Sequence, residues 1–172
     1  EITDTAEFTT KINVTEDVTV TAEFVKVYTI EVEYNENGQV VVDPETIAGS
    51  VTVETGSKVI IGADPNDNYR VSEVIINEVV DSSITGENYG ENDVYQKELV
   101  ADKNYSVKIT FAPNRFSVTA ADTENGTIVI GTELVDYDNS SQITVIPNTG
   151  YVVKTVTVND QEVTDFETED DG

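Results

Sequence analysis

The chain is built on an internal repeat, and the repeat is uneven. "YTIEVEYNENGQVVV" at 28–42 matches "FSVTAADTENGTIVI" at 116–130, with Tyr28 facing Phe116 and Gly38 facing Gly126. "DPNDNYRVSEVIINE" at 64–78 matches "IPNTGYVVKTVTVND" at 146–160, aligning Pro65 with Pro147, Tyr69 with Tyr151 and Asn77 with Asn159. The offset falls from 88 to 82 between these blocks, so the segment from about 43 to 57 carries a six-residue insertion relative to its partner. "FTTKINVTEDVTVTAEF" at 8–24 matches "YQKELVADKNYSVKITF" at 95–111 without a gap. Self-similarity at this period is the signature of one small structural unit used more than once.

Only one copy is whole. Residues 25–112 read as a complete β repeat, 113–172 as a repeat lacking its last strand, and 1–24 as the closing strand segment of a repeat. The two joints are alike, with Phe24 leading to Tyr28 and Phe111 to Phe116. The chain has no methionine, which points to a processed or excerpted product.

The expected class is all-β: tandem small sandwiches, Ig-like or β-grasp-like, with an N-terminal strand available for complementation. In the complete repeat, strands are expected near 28–34, 39–43, 50–54, 57–63, 69–79, 94–99 and 104–111, rich in Val, Ile, Thr and Tyr and broken by "NENG", "ETGS", "DPNDN" and "ADKN". No window sustains a 3.6-residue period. In 69–79 the apolar phase runs Tyr69, Val71 and then shifts to Val74, Ile76, and 151–158 repeats the shift. One extra residue at the same place in both copies predicts a β-bulge. Val18, Val20, Ala22 and Phe24 alternate with Thr19, Thr21 and Glu23, the period of a half-buried strand that needs a neighbour.

Charge and missing residue types narrow the function. Thirty-four acidic against 9 basic residues give a formal net charge of −25 over 172 residues, the opposite of what a phosphate-backbone binder requires. Cysteine and histidine are absent, so thiol and imidazole nucleophiles, Ser-His-Asp triads and ordinary zinc sites are excluded. No apolar run approaches the ~20 residues that span a bilayer as a helix. The expectations are therefore no enzyme, no nucleic-acid partner and no membrane span.

The order "NG-x-V … P-N-x-G-Y-x-V-x-x-V-x-V-N", then "T-x-D-x-T-V-x-A-x-F", resembles the divergent InlB B-repeat and related bacterial surface repeats. The positions are Asn37–Gly38 and Asn125–Gly126, Pro65 to Asn77, Pro147 to Asn159, and Thr15 to Phe24. Members commonly carry Trp where this chain has Val74 and Val156. The resemblance implies tandem modules on secreted or wall-attached proteins, acting as stalks, spacers or adhesive segments, and it brings no catalytic residues.

Candidate chemistry is sparse. "DPNDN" offers Asp64, Asn66, Asp67 and Asn68 to calcium, but Tyr69 stands where an EF-hand loop needs Gly, and Ile75 where it needs a bidentate Glu. A turn is the plainer reading. Asp136 and Asp138 in "DYDNS", and the "TEDDG" stretch at 168–172, are comparable; calcium is the one cofactor in view. Asn13, Asn104, Asn125 and Asn139 head N-x-[ST] sequons, about as many as chance supplies. Tyr89 and Tyr95 could belong to a sugar platform, although Tyr95 aligns with Phe8 and fits a core position better.

Three explanations compete for the leading strand: debris of a longer array, fold-back onto the unfinished repeat of its own chain, or completion of that repeat in another copy. The joint tethers Phe24 at the far pole of the middle repeat, tens of Å away at ~3.3 Å per strand residue, which disfavours fold-back. The expectation is a head-to-tail extracellular fibre. Its assembly strand carries Phe8, Ile12, Val18, Val20, Ala22 and Phe24; its acceptor groove is made by Phe116, Val118, Ile128, Ile130, Tyr151, Val153, Val156 and Val158. Burying the six donor side chains is worth ~10 kcal/mol gross. The alternative is an adhesin or spacer module of a larger cell-surface protein, with the 80–95 insertion as its contact loop for a host protein or glycan.

Overall fold

The computed structural model describes residues 9–45, 49–84 and 94–164, which form strands, turns and loops with no helix among them. No helix of these residues is long and apolar enough to cross a membrane. Contacts divide the chain into a first unit, Glu1–Asn114, and a second, Arg115–Gly172.

In the first unit, β1 (Val27–Tyr34), β2 (Gly38–Asp43), β3 (Ser50–Glu54), β4 (Lys58–Pro65), β5 (Tyr69–Ile76), β6 (Val79–Val80), β7 (Tyr95–Val100) and β8 (Tyr105–Pro113) build two sheets. Their orders are β3-β1-β8-β5-β6 and β2-β4-β7. Alternation puts one side of each strand inward. Ile30 and Val32 of β1, Val59, Ile61 and Ala63 of β4, Tyr95 and Leu99 of β7, and Val107, Ile109 and Phe111 of β8 are all buried. They form one apolar cluster supplied by both sheets.

β8 is the keystone of the larger sheet. It runs parallel to β1, with Ile30 opposite Tyr105 and Tyr34 opposite Ile109, and antiparallel to β5 on its other side. Side chains fix its position as well as the ladder does. The Asn35 amide grips the Phe111 backbone twice, donating from Nδ2 to the carbonyl at 2.9 Å and accepting the N–H at Oδ1 at 2.7 Å. Asn77 Oδ1 accepts the Ser106 N–H at 2.9 Å, and Asn104 Oδ1 accepts the Thr29 N–H at 3.0 Å. The Phe111 ring lies over Gly38, where any side chain would run into it.

The phase shift in 69–79 is a bulge. The β5–β8 register slips between Val71 and Glu73, leaving Ser72 as the extra residue, and its hydroxyl donates to the Thr110 carbonyl at 2.9 Å. Val71 and Val74 are both buried as a result. The single strand expected over 69–79 is corrected: it breaks at Asn77 and Glu78, both with positive φ (49° and 66°), into a tight hairpin to β6. Two successive positive φ values match the right-handed twist of the flanking strands.

Asp81 ties the end of this hairpin to β7. Its carboxylate accepts the Ser83 N–H at 3.0 Å and the Tyr95 hydroxyl at 2.9 Å, and pairs with Lys97 Nζ at 2.9 Å. The Ser83 N–H, and then Lys97, hold the carboxyl well below the usual carboxylate range against the cost of burial. Burial, then the Asp81 acceptor, pushes the Tyr95 hydroxyl up. Because the folded pKa of Asp81 is depressed, its contribution to stability is complete above the ordinary carboxylate value and is lost as pH falls below it. Tyr95 acts oppositely: its contribution is complete below the ordinary phenol value and fades as pH rises beyond it. Asp81→Asn should cost about 1–3 kcal/mol at pH 7, since the side chain is only 9% exposed. Urea unfolding followed by circular dichroism at pH 7 and pH 3 checks this. The gap to the parent chain should narrow at the lower pH, and a pH-independent gap would show that the carboxylate charge plays no part.

The second unit contains β9 (Arg115–Ser117), β10 (Gly126–Ile130), β11 (Leu134–Asp136), β12 (Ile143–Pro147), β13 (Val156–Val158) and β14 (Gln161–Val163), paired as β9–β11, β10–β12 and β13–β14. Val135 is its one buried apolar residue among those described.

Candidate functional site

Each ladder of the second unit copies one in the first, residue for residue. Phe116 faces Val135 as Tyr28 faces Val53. Gly126 faces Pro147 as Gly38 faces Pro65. Val158 faces Gln161 as Ile76 faces Val79, and Asn159 and Asp160 turn the hairpin with φ of 48° and 62°, as Asn77 and Glu78 do. Among the described residues of the second unit, nothing corresponds to β7 or to the keystone β8.

The strands that would flank a keystone are shortened where they would touch it. In the first unit, β1 continues past its pairing with β3 to pair with β8 through Tyr34. Its counterpart β9 stops at Ser117, and 118–122 carry no strand. The first half of β5 pairs with β8 alone; its counterpart, 151–155, is likewise without a ladder, and only the residues hairpinned to β14 remain as β13. A strand persists only where backbone groups find partners.

Side chains follow the backbone. Val71 and Val74 are buried at 8% and 0%, while their counterpart Val153 is 45% exposed and Val156 is half-buried. Phe116, Tyr151 and Val158 are exposed, and Val118, Ile128 and Ile130 are half-buried. The last three line an open cavity of about 560 Å³ together with Ala120 and Leu134. Tyr151, Val153, Val156 and Val158 do not line it; they lie on the 151–158 stretch, whose counterpart in the first unit, β5, carries the bulge.

Residues 9–26 carry no strand, contrary to their alternating pattern. The reason is the missing partner: a period-2 face without a neighbouring strand has no ladder to join. Ile12, Val18, Val20 and Phe24 are 54, 49, 79 and 91% exposed, and Ala22 is exposed too. Phe8 lies outside the described residues. Of their counterparts in the first unit, Leu99, Val107, Ile109 and Phe111 are buried and Tyr105 is half-buried.

One family model matches this part of the chain. Residues 116–170 match the divergent InlB B-repeat domain. The match starts on β9 and takes in the open face just described, so the resemblance carried by the sequence holds for the second unit. The first unit repeats the three ladders of this matched segment in the same registers. B-repeat domains occur in surface and extracellular bacterial proteins and are typically structural rather than enzymatic. No curated protein and no solved structure matches the chain.

The remaining candidates do not converge. Among the described residues, no three acidic side chains come together in a way that could hold a metal ion. Asp64 stands in β4 opposite Gln39; Asp67 is in the turn that the Tyr69 N–H closes onto the Asn66 carbonyl. Asp136 accepts from Arg115 Nε at 2.8 Å, and Asp138 occupies a positive-φ turn position. Asn13, Asn104, Asn125 and Asn139 are all exposed; Asn104 caps the Thr29 N–H and Asn125 turns the β9-to-β10 connection with φ of 61°. Tyr95 is a core residue that serves Asp81, which removes it from any sugar platform, and Tyr89 and most of the 80–95 insertion lie outside the described residues.

Proposed function

We propose that this chain is a non-enzymatic structural protein of the bacterial cell surface whose copies join head to tail, residues 8–24 of one copy completing the repeat 113–172 of the next. One observation carries this reading. Among the described residues, the second unit reproduces the first unit's pairing everywhere except at two strands, and the sequence counterpart of those two strands is the segment 8–24, whose described residues 9–24 are exposed and in no strand.

The energetics favour the union. Each large apolar side chain of the segment gains about 1.5–3 kcal/mol on burial. Association and ordering take back about 4–15 kcal/mol. The two ladders that a keystone strand restores, and the strand recovered at 118–122 and 151–155, add to the gain. The extended segment enters as a strand added to an open sheet. An open edge beside exposed apolar residues is otherwise an aggregation hazard.

Size-exclusion chromatography with light scattering, and negative-stain electron microscopy of the pure chain, test the proposal. Concentration-dependent linear oligomers or thin fibres are expected. A monomer that persists to high concentration would leave a spacer module and no fibre.

A further inference from the structure

We infer that residues 8–24 are fitted to the second unit of another copy of this chain in particular, in the register of β7 and β8, with Glu23 meeting Lys154 beside the bulge. This rests on the head-to-tail reading and adds the register and its specificity to it.

The first unit shows which residue pairs join its closing strands to the rest. Asp81 binds the Tyr95 hydroxyl and Lys97. In the repeat register the same three positions are Val163, Phe8 and Thr10. The acid, its phenol and its lysine are replaced together, by residues that also suit one another. The backbone contact at this site is retained as well: Asp81 N donates to the Val74 carbonyl, and Val163 lies opposite Val156.

On the other side of the keystone, Glu33 of β1 stands opposite Lys108 of β8. The corresponding residues are Ala121 and Thr21, so both charges vanish at once. A lone Lys or Glu at this pair of positions would have broken the match, and neither occurs; the Lys58–Glu98 ion pair between β4 and β7, by contrast, is replaced by Ser140 and Lys11, which keeps one charge.

The third site reverses the pattern and supplies the discriminating charge pair. In the first unit Glu73 faces Thr110, with the Ser72 hydroxyl on the Thr110 carbonyl. In the second unit Thr155 would face Glu23, exchanging the two residue types between strands, and the bulge residue becomes Lys154. A neutral contact thus turns into an opposite-charge contact, with Lys154 on the acceptor and Glu23 on the donor. Paired replacements at these three sites, against one at which a single charge remains on the donor, are what a fitted pair of surfaces shows. A strand fitted to some other module has no reason to track this one.

Charge exchange in the full chain tests the inference. E23K raises the net charge by two from −25, so relief of overall repulsion alone would strengthen association. A local pair with Lys154 gives the opposite sign. E23K and K154E should each weaken association roughly three- to tenfold at low salt, and the double variant should return to within about twofold of the parent. Equimolar E23K and K154E chains, mixed, should co-assemble as strict alternators, because each joint then brings Lys to Glu; a strand folding back within its own chain would gain nothing from mixing. Tighter association of E23K, or a double variant as weak as either single one, overturns the register while leaving head-to-tail assembly standing. A parent chain that does not associate overturns both.

Discussion

Val20→Asp combined with Phe24→Asp is expected to abolish assembly while leaving the first unit folded. Both side chains are largely exposed in the single chain, at 79 and 91%, so their replacement removes no contact from the folded core. In the joined state they would occupy the places of Val107 and Phe111, which are 1 and 3% exposed. Losing two such burials removes about 3–6 kcal/mol, and two carboxylates facing an apolar groove add their own desolvation cost. Association should fall by roughly a hundredfold to ten-thousandfold. Sedimentation velocity on parent and variant reads this directly. Val41→Asp with Val79→Asp provides the control, since these residues are similarly exposed, at 65 and 68%, but belong to neither the leading segment nor the second unit. Loss of assembly in the control as well would assign the association to general stickiness.

Ile109→Ala should be the most damaging conservative change in the first unit. Ile109 is 1% exposed on the keystone strand, with Tyr34 on one side and Val74 on the other. A buried Ile cut to Ala costs about 2–5 kcal/mol through lost transfer energy and the cavity left behind. Urea unfolding monitored by far-ultraviolet circular dichroism should show the midpoint falling accordingly. Ala22, in the same repeat position of the leading segment, is exposed, and Ala22→Gly should leave that midpoint unchanged. An Ile109 penalty below about 1 kcal/mol would mean that β8 does not organise the sheet.

Much of this architecture is readable in the residues, for local reasons. The bulge is legible because the apolar phase slips by one at the same place in both copies, at Val71–Val74 and Val153–Val156. The β1–β2 and β4–β5 turns declare themselves through Asn-Gly and Asp-Pro-Asn. The break at Asn77–Glu78 hides, since apolar residues stand on both sides of it, Val74–Ile76 and Val79–Val80, and no glycine marks the two positive φ values. The parallel pairing of β1 with β8 hides for a different reason: partners separated by some 75 residues leave no trace in either strand's own pattern.

The open face was legible only in part. Alternation in 14–24 identifies a strand-forming segment, but not that it stays unpaired in the single chain. Val118, Ile128 and Ile130 gather in one cavity, whereas the 151–158 residues sit apart from it, a separation that needs coordinates to see. The proposed opposition of Glu23 and Lys154 is also out of reach of strand alternation, because it rests on Ser72 being the residue that the β5 bulge leaves out of register.

The parallel contact between β1 and β8 has a mechanical consequence. The first unit is entered at Val27 and left at Pro113, at opposite ends of two adjacent strands that point the same way. Tension applied along the chain therefore slides one strand past the other and loads all the hydrogen bonds between Ile30–Tyr34 and Tyr105–Ile109 together, instead of peeling them singly. A module wired in this fashion resists stretching far better than its modest size suggests, and a strand inserted in the same register between copies would make every joint as hard to pull apart as the module itself.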